Sequence, residues 1–115
     1  MRHIVVTTCQ VQVEKMKEFF SDIQQWEQAA MKSEHAPEYH ALYVSETDPS
    51  RVLLFTRFES REQAEAFTAT GLLQGFHDRI LSCVASEPHE EAYDLYYAVG
   101  EGGPRVIFGE DSDTV

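Results

Sequence analysis

Apolar and polar residues follow two different periods along the chain, and the changes of period predict where strands and helices begin. Residues 4–12 show the alternation of a strand, with Ile4 and Val6 on one face. Val5 and Cys9 fall on the other face, so apolar side chains lie on both sides of this strand. We therefore expect both faces of its sheet to be covered.

Residues 14–31 carry apolar residues at helical spacing and predict an amphipathic helix, with its polar residues on the opposite face. The apolar face is formed by Val13, Met16, Phe19, Phe20, Ile23, Trp26 and Ala30. A stripe of Phe and Trp at this spacing is typical of a helix packed against a hydrophobic core, and we expect it to pack on the sheet.

The second half of the chain is organised by a strand that turns directly into a helix. Residues 52–58 are an apolar run rich in Val, Leu and Phe, which is typical of a buried strand. Ser60 and Gln63 have the spacing of a helix capping box, and apolar residues then follow the helical period as far as Val84. Gly71 interrupts that period and predicts either a helix C-cap or a bend. We expect a pocket between this bent helix and the sheet.

Two further strands complete the predicted element order. Residues 39–45 form a hairpin with the strand at 52–58, and residues 92–99 form the last strand. The resulting order, β-α-β-β-α-β, is typical of the α+β class and of a ferredoxin-like sandwich with its helices on one sheet face. We expect one domain over residues 1–99.

A ferredoxin-like sandwich leaves the second face of its sheet bare. Here that face would expose Val, Leu and Tyr side chains from several strands, which is a larger apolar patch than soluble monomers usually tolerate. Pairing two sheets face to face in a two-fold dimer would cover it. We therefore predict a homodimer, in which two chains form a dimeric α+β barrel.

Residues 100–115 form a glycine-rich and acidic C-terminal tail. Three glycines fall within residues 100–103, and the last seven residues read GEDSDTV. The sequence leaves two alternatives for this tail. Either it is mobile, or its apolar residues 106–108 add to a neighbouring sheet edge and contribute to dimer contacts.

Composition and charge argue against a nucleic acid or a membrane as the partner of this protein. The chain has 20 acidic and 9 basic residues and a formal net charge of −11, the opposite of what a nucleic-acid binder requires. The N-terminal stretch does not resemble a signal peptide, and no apolar run reaches transmembrane length. We expect a cytoplasmic protein with no nucleic-acid or membrane partner.

Cys9 and Cys83 lack CxxC spacing and are expected to be reduced, packed thiols, with a redox pair as the alternative.

The stretch VLLFTRFESREQAEAFTATGLLQGF resembles the antibiotic biosynthesis monooxygenase (ABM) family of dimeric α+β barrels. Phe58, Ser60, Ala64 and Phe76 match the family's rhythm of an aromatic strand end, a serine and a helix with spaced apolar residues. By element order, the resemblance covers most of residues 3–99.

The resemblance implies oxygenation of an aromatic or quinol substrate without a cofactor. Such a reaction needs an apolar pocket for a flat substrate and a few polar groups that stabilise its anion. The residues that we expect to bind the substrate are Phe19, Ile23, Trp26, His40, Phe55, Phe67 and Phe76. The catalytic candidates are Thr7, Arg57 and His77. Phe67 stands where many family members carry a helix histidine.

The haem-degrading branch of the family is one alternative. In that branch a helix histidine ligates the iron, and the span from Phe58 to His77 is similar to the branch's spacing between its strand-ending aromatic and that histidine. The branch's helix tryptophan falls on Phe67 and its strand asparagine near Thr7. His77 is therefore either a haem ligand or a partly exposed histidine at the edge of a helix.

Two non-catalytic alternatives also remain: a barrel that binds a small hydrophobic ligand, and a dimer whose aromatic residues simply fill its core. His3 starts a strand, and His35 and His89 lie in loops. Glu34, His35 and Glu38 are close in sequence, but their spacing matches no zinc or two-metal site. The acidic residues near Glu90 are expected on the surface. We expect no metal site. The expected partners are a second copy of the chain and a small aromatic or hydrophobic ligand.

Overall fold

A computed structural model describes residues 2–100 and the backbone of residues 103–108. The strands are β1 (His3–Gln10), β2 (Tyr39–Val44), β3 (Arg51–Phe58), β4 (His89–Asp94), β5 (Tyr97–Gly100) and β6 (Gly103–Phe108). The helices are α1 (Met16–Met31), α2 (Arg61–Ala69) and α3 (Leu72–Ile80), and a short 3₁₀ turn at Val13–Lys15 precedes α1.

Four strands form one antiparallel sheet in the order β2-β3-β1-β4. This order and the element sequence confirm the predicted ferredoxin-like α+β fold. The β1 strand lies in the interior of the sheet and pairs with both β3 and β4. A separate two-stranded hairpin follows, made of β5 and β6.

The helices cover one face of the four-stranded sheet, and strand alternation decides which residues meet them. On β3, the buried side chains are Val52, Leu54 and Phe58, which share the face toward the helices. On α1, the buried side chains recur every three or four residues, as the sequence predicted for the core-facing stripe. They are Phe19, Ile23, Trp26 and Ala30. These two sets form the hydrophobic core together with buried residues of β1, α2 and α3.

The predicted capping box starts α2, and Gly71 ends the helical run that follows. The Ser60 hydroxyl accepts a hydrogen bond of 3.1 Å from the Gln63 amide. The Gln63 side chain accepts in return from the amide of Glu59, at 2.6 Å. Gly71 has a φ of +81°, a left-handed conformation that favours glycine, so the predicted bent helix is two helices, α2 and α3.

The last part of the chain differs from the prediction of one strand over residues 92–99. Pairing with β1 begins earlier, at His89, and ends at Asp94 opposite the first residue of β1. Beyond that point β1 offers no further partner, and after a last bond from the Leu95 amide to the Arg2 carbonyl the chain leaves the sheet. The following residues pair with β6 instead.

The hairpin gives the predicted segment 106–108 a partner within the same chain, since these residues pair with 97–99. The acidic residues 109–115, for which the sequence left mobility as an alternative, lie outside the described residues. The division of the chain at residue 99 stays a prediction.

The second face of the four-stranded sheet is not covered by any described part of the chain. Phe55 and Leu53 lie on this face, and Tyr39, Tyr43 and Tyr93 are exposed on it. In the described part of the chain, no helix combines the length and the apolar character needed to cross a membrane.

Candidate functional site

A cavity of about 400 Å³ lies between the helices and the sheet, where the sequence predicted a pocket. This volume falls within the range of sites that hold small organic ligands, about 300–1,000 Å³. Its floor consists of residues from all four strands of the sheet, and its roof consists of side chains from the three helices.

The roof and walls are largely aromatic. Trp26 from α1 lies with its ring centroid 4.8 Å from that of Phe76 and 6.1 Å from that of Phe67. Phe67 in turn lies 5.6 Å from Phe58 at the end of β3. The Trp26 indole nitrogen donates to the Leu72 carbonyl at 3.1 Å, which fixes the ring at the junction of α1 and α3. These rings form an apolar surface suited to a flat ligand.

The sheet floor brings polar residues together in register. His40 pairs with Thr56 across β2 and β3. Thr7 pairs with Glu90 across β1 and β4. His3 lies opposite Asp94 at the other end of the same two strands. All of these polar residues line the cavity except Asp94, which is hydrogen-bonded to His3.

His40 forms the first of two histidine–carboxylate pairs at the cavity. Its side chain is 4% exposed, and its Nδ1 lies 2.6 Å from Oε2 of Glu27 on α1. An ionised carboxylate only accepts hydrogen bonds, so Nδ1 carries the proton and donates it. The His40 ring also packs edge-on against Trp26, with centroids 5.0 Å apart. The imidazole is therefore held on both sides.

His3 forms the second pair, with Asp94. Its Nδ1 lies 2.9 Å from Oδ1 of Asp94, and the other oxygen of Asp94 accepts from the guanidinium of Arg61. The hydrogen bond from His3, and then that from Arg61, hold the pKa of the Asp94 carboxyl below its ordinary value. This charge-assisted chain links β1, β4 and α2 at one end of the cavity.

His77 does not line the cavity. Its Nε2 is buried and lies 3.2 Å from Oε2 of Glu90, a lining residue, but without hydrogen-bond geometry toward any described residue. An iron ion at this nitrogen would have to displace the Glu90 carboxylate. As arranged, these two side chains do not fit a haem ligand site.

The cavity brings together half of the predicted site residues. Those that line it are Thr7, Trp26, His40, Phe67 and Phe76. Phe19 and Ile23 are buried in the core beside it. Phe55 and Arg57 lie on the opposite sheet face, because they alternate on β3 with the residues that face the helices. There, Arg57 donates to Glu38 at 2.9 Å and lies over the Tyr39 ring.

Sequence reasoning missed five polar residues of the cavity lining, namely His3, Arg61, Glu65, Thr68 and Glu90. The signal for His3 was available, since it shares a strand face with Thr7 four residues on. Glu90 is exposed, as expected, but it belongs to β4, which begins at His89, and not to a loop, so it also lines the cavity. The pairing of Arg61 with Asp94 depends on how α2 packs on the sheet, which no local pattern shows.

One group of possible metal ligands lies outside the cavity. The ligand atoms of Glu18, Asp22 and Cys83 lie within 4.8 Å of one another. Burial raises the pKa of the Cys83 thiol, so it is protonated at neutral pH and is a poor ligand. The group is explained without a metal ion, as an exposed carboxylate (Glu18) and a half-buried one (Asp22) beside a packed cysteine.

Fold and cavity together define a class, ferredoxin-like α+β domains with an aromatic-lined cavity between helices and sheet. A conserved protein from Methanosarcina mazei Go1 has this fold with a TM-score of 0.73 at 16% identity, over 81% of this chain and 91% of that one. A protein of Nitrosomonas europaea, provisionally named an antibiotic biosynthesis monooxygenase, has a TM-score of 0.73 at 18% identity, over 86% of this chain and 94% of that one. A protein of Caulobacter crescentus CB15 with the same provisional name has a TM-score of 0.70 at 21% identity, over 86% of this chain and 91% of that one.

The sequence itself identifies the family. The family described as antibiotic biosynthesis monooxygenase matches residues 2–79, which is more than half of the chain. The chain belongs to this family, as the resemblance in the strand-helix stretch predicted. No curated protein sequence matches the chain.

Proposed function

We propose that this protein is a small monooxygenase that oxidises a flat aromatic phenol or quinol in the cavity without a cofactor. The observation that carries the proposal is the cavity itself, about 400 Å³ in volume, with aromatic walls and a polar floor. A filled hydrophobic core would leave no such space, which argues against a purely structural role.

The proposed reaction uses the substrate as its own electron donor. Deprotonation of an electron-rich phenol or of an activated ring CH₂ gives a carbanion, which reduces dioxygen and forms a carbon–oxygen bond. Cleavage of the resulting hydroperoxide leaves one oxygen on carbon as a carbonyl and releases the other as water. The substrate thus loses two hydrogens, and the balance is CH₂ + O₂ → C=O + H₂O.

The residues of the cavity supply what this reaction requires from a protein. The rings of Trp26, Phe67 and Phe76 hold a flat molecule and exclude water. The buried Thr7 hydroxyl on the floor can donate a hydrogen bond to a substrate oxygen that becomes negative. The imidazoles of His3 and His40 can accept protons.

The haem alternative finds less support in this arrangement. The nitrogen of His77 that would ligate iron faces the Glu90 carboxylate and lies outside the cavity lining. We therefore propose reaction without haem. A haemin titration tests this choice: a saturable Soret shift that is lost in His77→Ala would reverse it.

We also propose that two chains pair through the bare sheet face. The apolar and tyrosine side chains there form a continuous surface across neighbouring strands. Two such faces packed against each other would form the predicted barrel. The cavity opens on the other side of the sheet, so each chain would keep its own site.

Oxygen uptake in the presence of phenols and quinols tests the proposed activity. The purified protein, with a metal chelator present, is expected to consume oxygen faster than the buffer autoxidation rate with at least one flat hydroxyaromatic of two or three rings. Product mass should rise by 14 Da when CH₂ becomes C=O, as the balance above requires. Uptake equal to the buffer rate across the panel would contradict the proposal and leave a binding protein.

A further inference from the structure

The two histidine–carboxylate pairs at the cavity are not equivalent, and the difference assigns them different roles. His40 lies on the edge strand β2, and His3 lies on the inner strand β1, two strands away. Along β1, His3 is two residues from Val5, the residue in register with His40. With strands about 4.8 Å apart and about 3.4 Å per residue, their Cα atoms are roughly 12 Å apart. A flat molecule of two or three rings can therefore contact both ends of the floor.

The two carboxylates differ in their partners: among the described residues, the one behind His40 is hydrogen-bonded to that histidine alone, whereas the one behind His3 has two partners. Within the part of the chain that the structure describes, Glu27 accepts a hydrogen bond from His40 alone, at 2.6 Å. Asp94 accepts from both His3 and Arg61. The negative charge of Asp94 is thus already compensated by the Arg61 guanidinium, while that of Glu27 remains to stabilise a positive imidazole.

The tautomer of His40 also suits proton acceptance. Because Nδ1–H donates to Glu27, Nε2 carries the lone pair, and it is the ring nitrogen left for a cavity ligand. The Trp26 ring packed against His40 keeps the imidazole from rotating. A base fixed in one tautomer and one orientation, with a carboxylate behind it, is the arrangement that general-base catalysis requires.

We propose that His40 is the catalytic base of the oxygenation and that Glu27 is its positioning residue, whereas the group formed by His3, Asp94 and Arg61 binds the far end of the substrate. This proposal rests on the proposed function for its reaction, but the tautomer and the pairing of His40 stand independently of any activity.

In the proposed step, Nε2 of His40 takes the proton whose removal creates the substrate carbanion. After the carbon–oxygen bond to dioxygen has formed, the imidazolium returns this proton to the terminal oxygen of the peroxide. His40 then removes the second hydrogen from the same carbon as a proton, and the electron pair left on carbon forms the carbonyl as the oxygen–oxygen bond breaks. The imidazolium gives its proton to the leaving hydroxide, which departs as water. Dioxygen is the only oxidant, and His40 ends in its starting state.

Three variants test these roles through activity. His40→Asn, which can still donate to Glu27, is expected to lower kcat by about 10²–10⁴-fold with little change in KM. His3→Asn is the matched control on the same floor, and it is expected to raise KM more than it lowers kcat. A large loss of kcat in His3→Asn together with near-normal kcat in His40→Asn would overturn the assignment.

Glu27→Gln tests the positioning role by the pH profile. In the wild-type protein, kcat is expected to fall at low pH, because a general base must be unprotonated to act. Removal of the Glu27 charge makes the imidazolium less stable, so this fall should shift to lower pH in Glu27→Gln. The other charged or titratable groups that line the cavity are His3, Arg61, Glu65 and Glu90. An unchanged profile in Glu27→Gln would contradict the positioning role.

A spectroscopic measurement separates this inference from the proposed function. Two-bond ¹H–¹⁵N correlation spectra of the histidine rings at neutral pH should show His40 as the Nδ1–H tautomer, with its signals assigned by their loss in His40→Asn. In Glu27→Gln, the Nδ1–H proton should lose the downfield shift that a carboxylate partner causes. A His40 ring in the Nε2–H form would overturn the proposal even if oxygenation is observed. Conversely, if His40 shows the expected tautomer but no phenol or quinol causes oxygen uptake, the proposed oxygenation is refuted while the pairing of His40 with Glu27 stands.

Discussion

At the scale of single residues, Asp94 shows how one side chain joins several parts of the fold. It lies at the end of β4, binds His3 across the sheet and binds Arg61 on α2. Its carboxylate accepts both hydrogen bonds only when it is ionised, so folding favours the ionised form and the pKa of Asp94 is lowered. Part of the stability of the cavity end therefore depends on pH.

Asp94→Asn is expected to destabilise the protein at neutral pH and to make less difference in acid. A folded-state pKa below the unfolded value gives stability that is complete above about pH 4, the ordinary aspartate pKa, and that is lost as the pH falls through the folded-state pKa. Urea unfolding of wild type and variant at pH 7 and pH 3 measures the two differences. A gap in unfolding free energy that does not shrink at pH 3 would contradict this linkage. Arg61→Gln should show the same trend to a smaller extent, because His3 is the larger cause of the shift.

The sequence predicted which residues of a strand share a sheet face, but not which of the two faces meets the helices. Alternation grouped Phe55 with Arg57 and separated both from Leu54. Nothing in that alternation says which group meets the helices, because both faces of β3 carry apolar residues. Long-range pairing such as Glu27 with His40 also leaves no trace in local sequence, since its members belong to different elements.

At the scale of elements, the region between α2 and α3 shows where sequence reasoning works well. Ser60, Gln63 and Gly71 act locally, through caps and backbone conformation, and each was predictable. The break between β4 and β5 was not predictable in the same way, because it depends on where β1 ends rather than on the residues of the strand itself.

Two glycines close to each other are expected to respond to alanine in opposite directions. Gly71 has a φ of +81°, so Gly71→Ala should destabilise the protein by about 1–2 kcal/mol through backbone strain alone, since no atom lies within 4 Å of the new methyl group. Gly75 lies inside α3 with equally open space, so Gly75→Ala should stabilise by about 0.5–1 kcal/mol. Thermal unfolding of both variants measures the signs. Two shifts in the same direction would contradict this account of the helix junction.

At the scale of the whole molecule, the two faces of the sheet have different roles. One face carries the cavity under the helices. The other carries Phe55 and three exposed tyrosines and is bare in the described chain. The proposed dimer covers that second face and explains why both faces of β1 are apolar.

Phe55→Glu is expected to convert the dimer to a monomer of 13.1 kDa. An unpaired charge buried in the interface should cost about 3 kcal/mol or more, which weakens association more than about 100-fold. Leu81→Glu is the matched control, since Leu81 is 54% exposed and lies after α3, away from the bare face. Light scattering during size-exclusion chromatography measures the masses. A dimer that persists in Phe55→Glu would show that the chains pair elsewhere, and a monomeric wild type would refute the dimer.

The most direct test of the central claim fills the cavity without touching its polar groups. Ala92 lines the cavity from β4 and is exposed, so Ala92→Phe should occupy the space of a substrate ring while the fold remains stable. Ala69→Phe adds the same bulk to an exposed position of α2 outside the lining and serves as the control. We expect oxygen uptake with the best phenol or quinol to fall at least about 10-fold in Ala92→Phe, with unfolding by urea unchanged, and to stay at the wild-type rate in Ala69→Phe. Equal uptake by all three proteins would place the reaction outside this cavity and contradict the account.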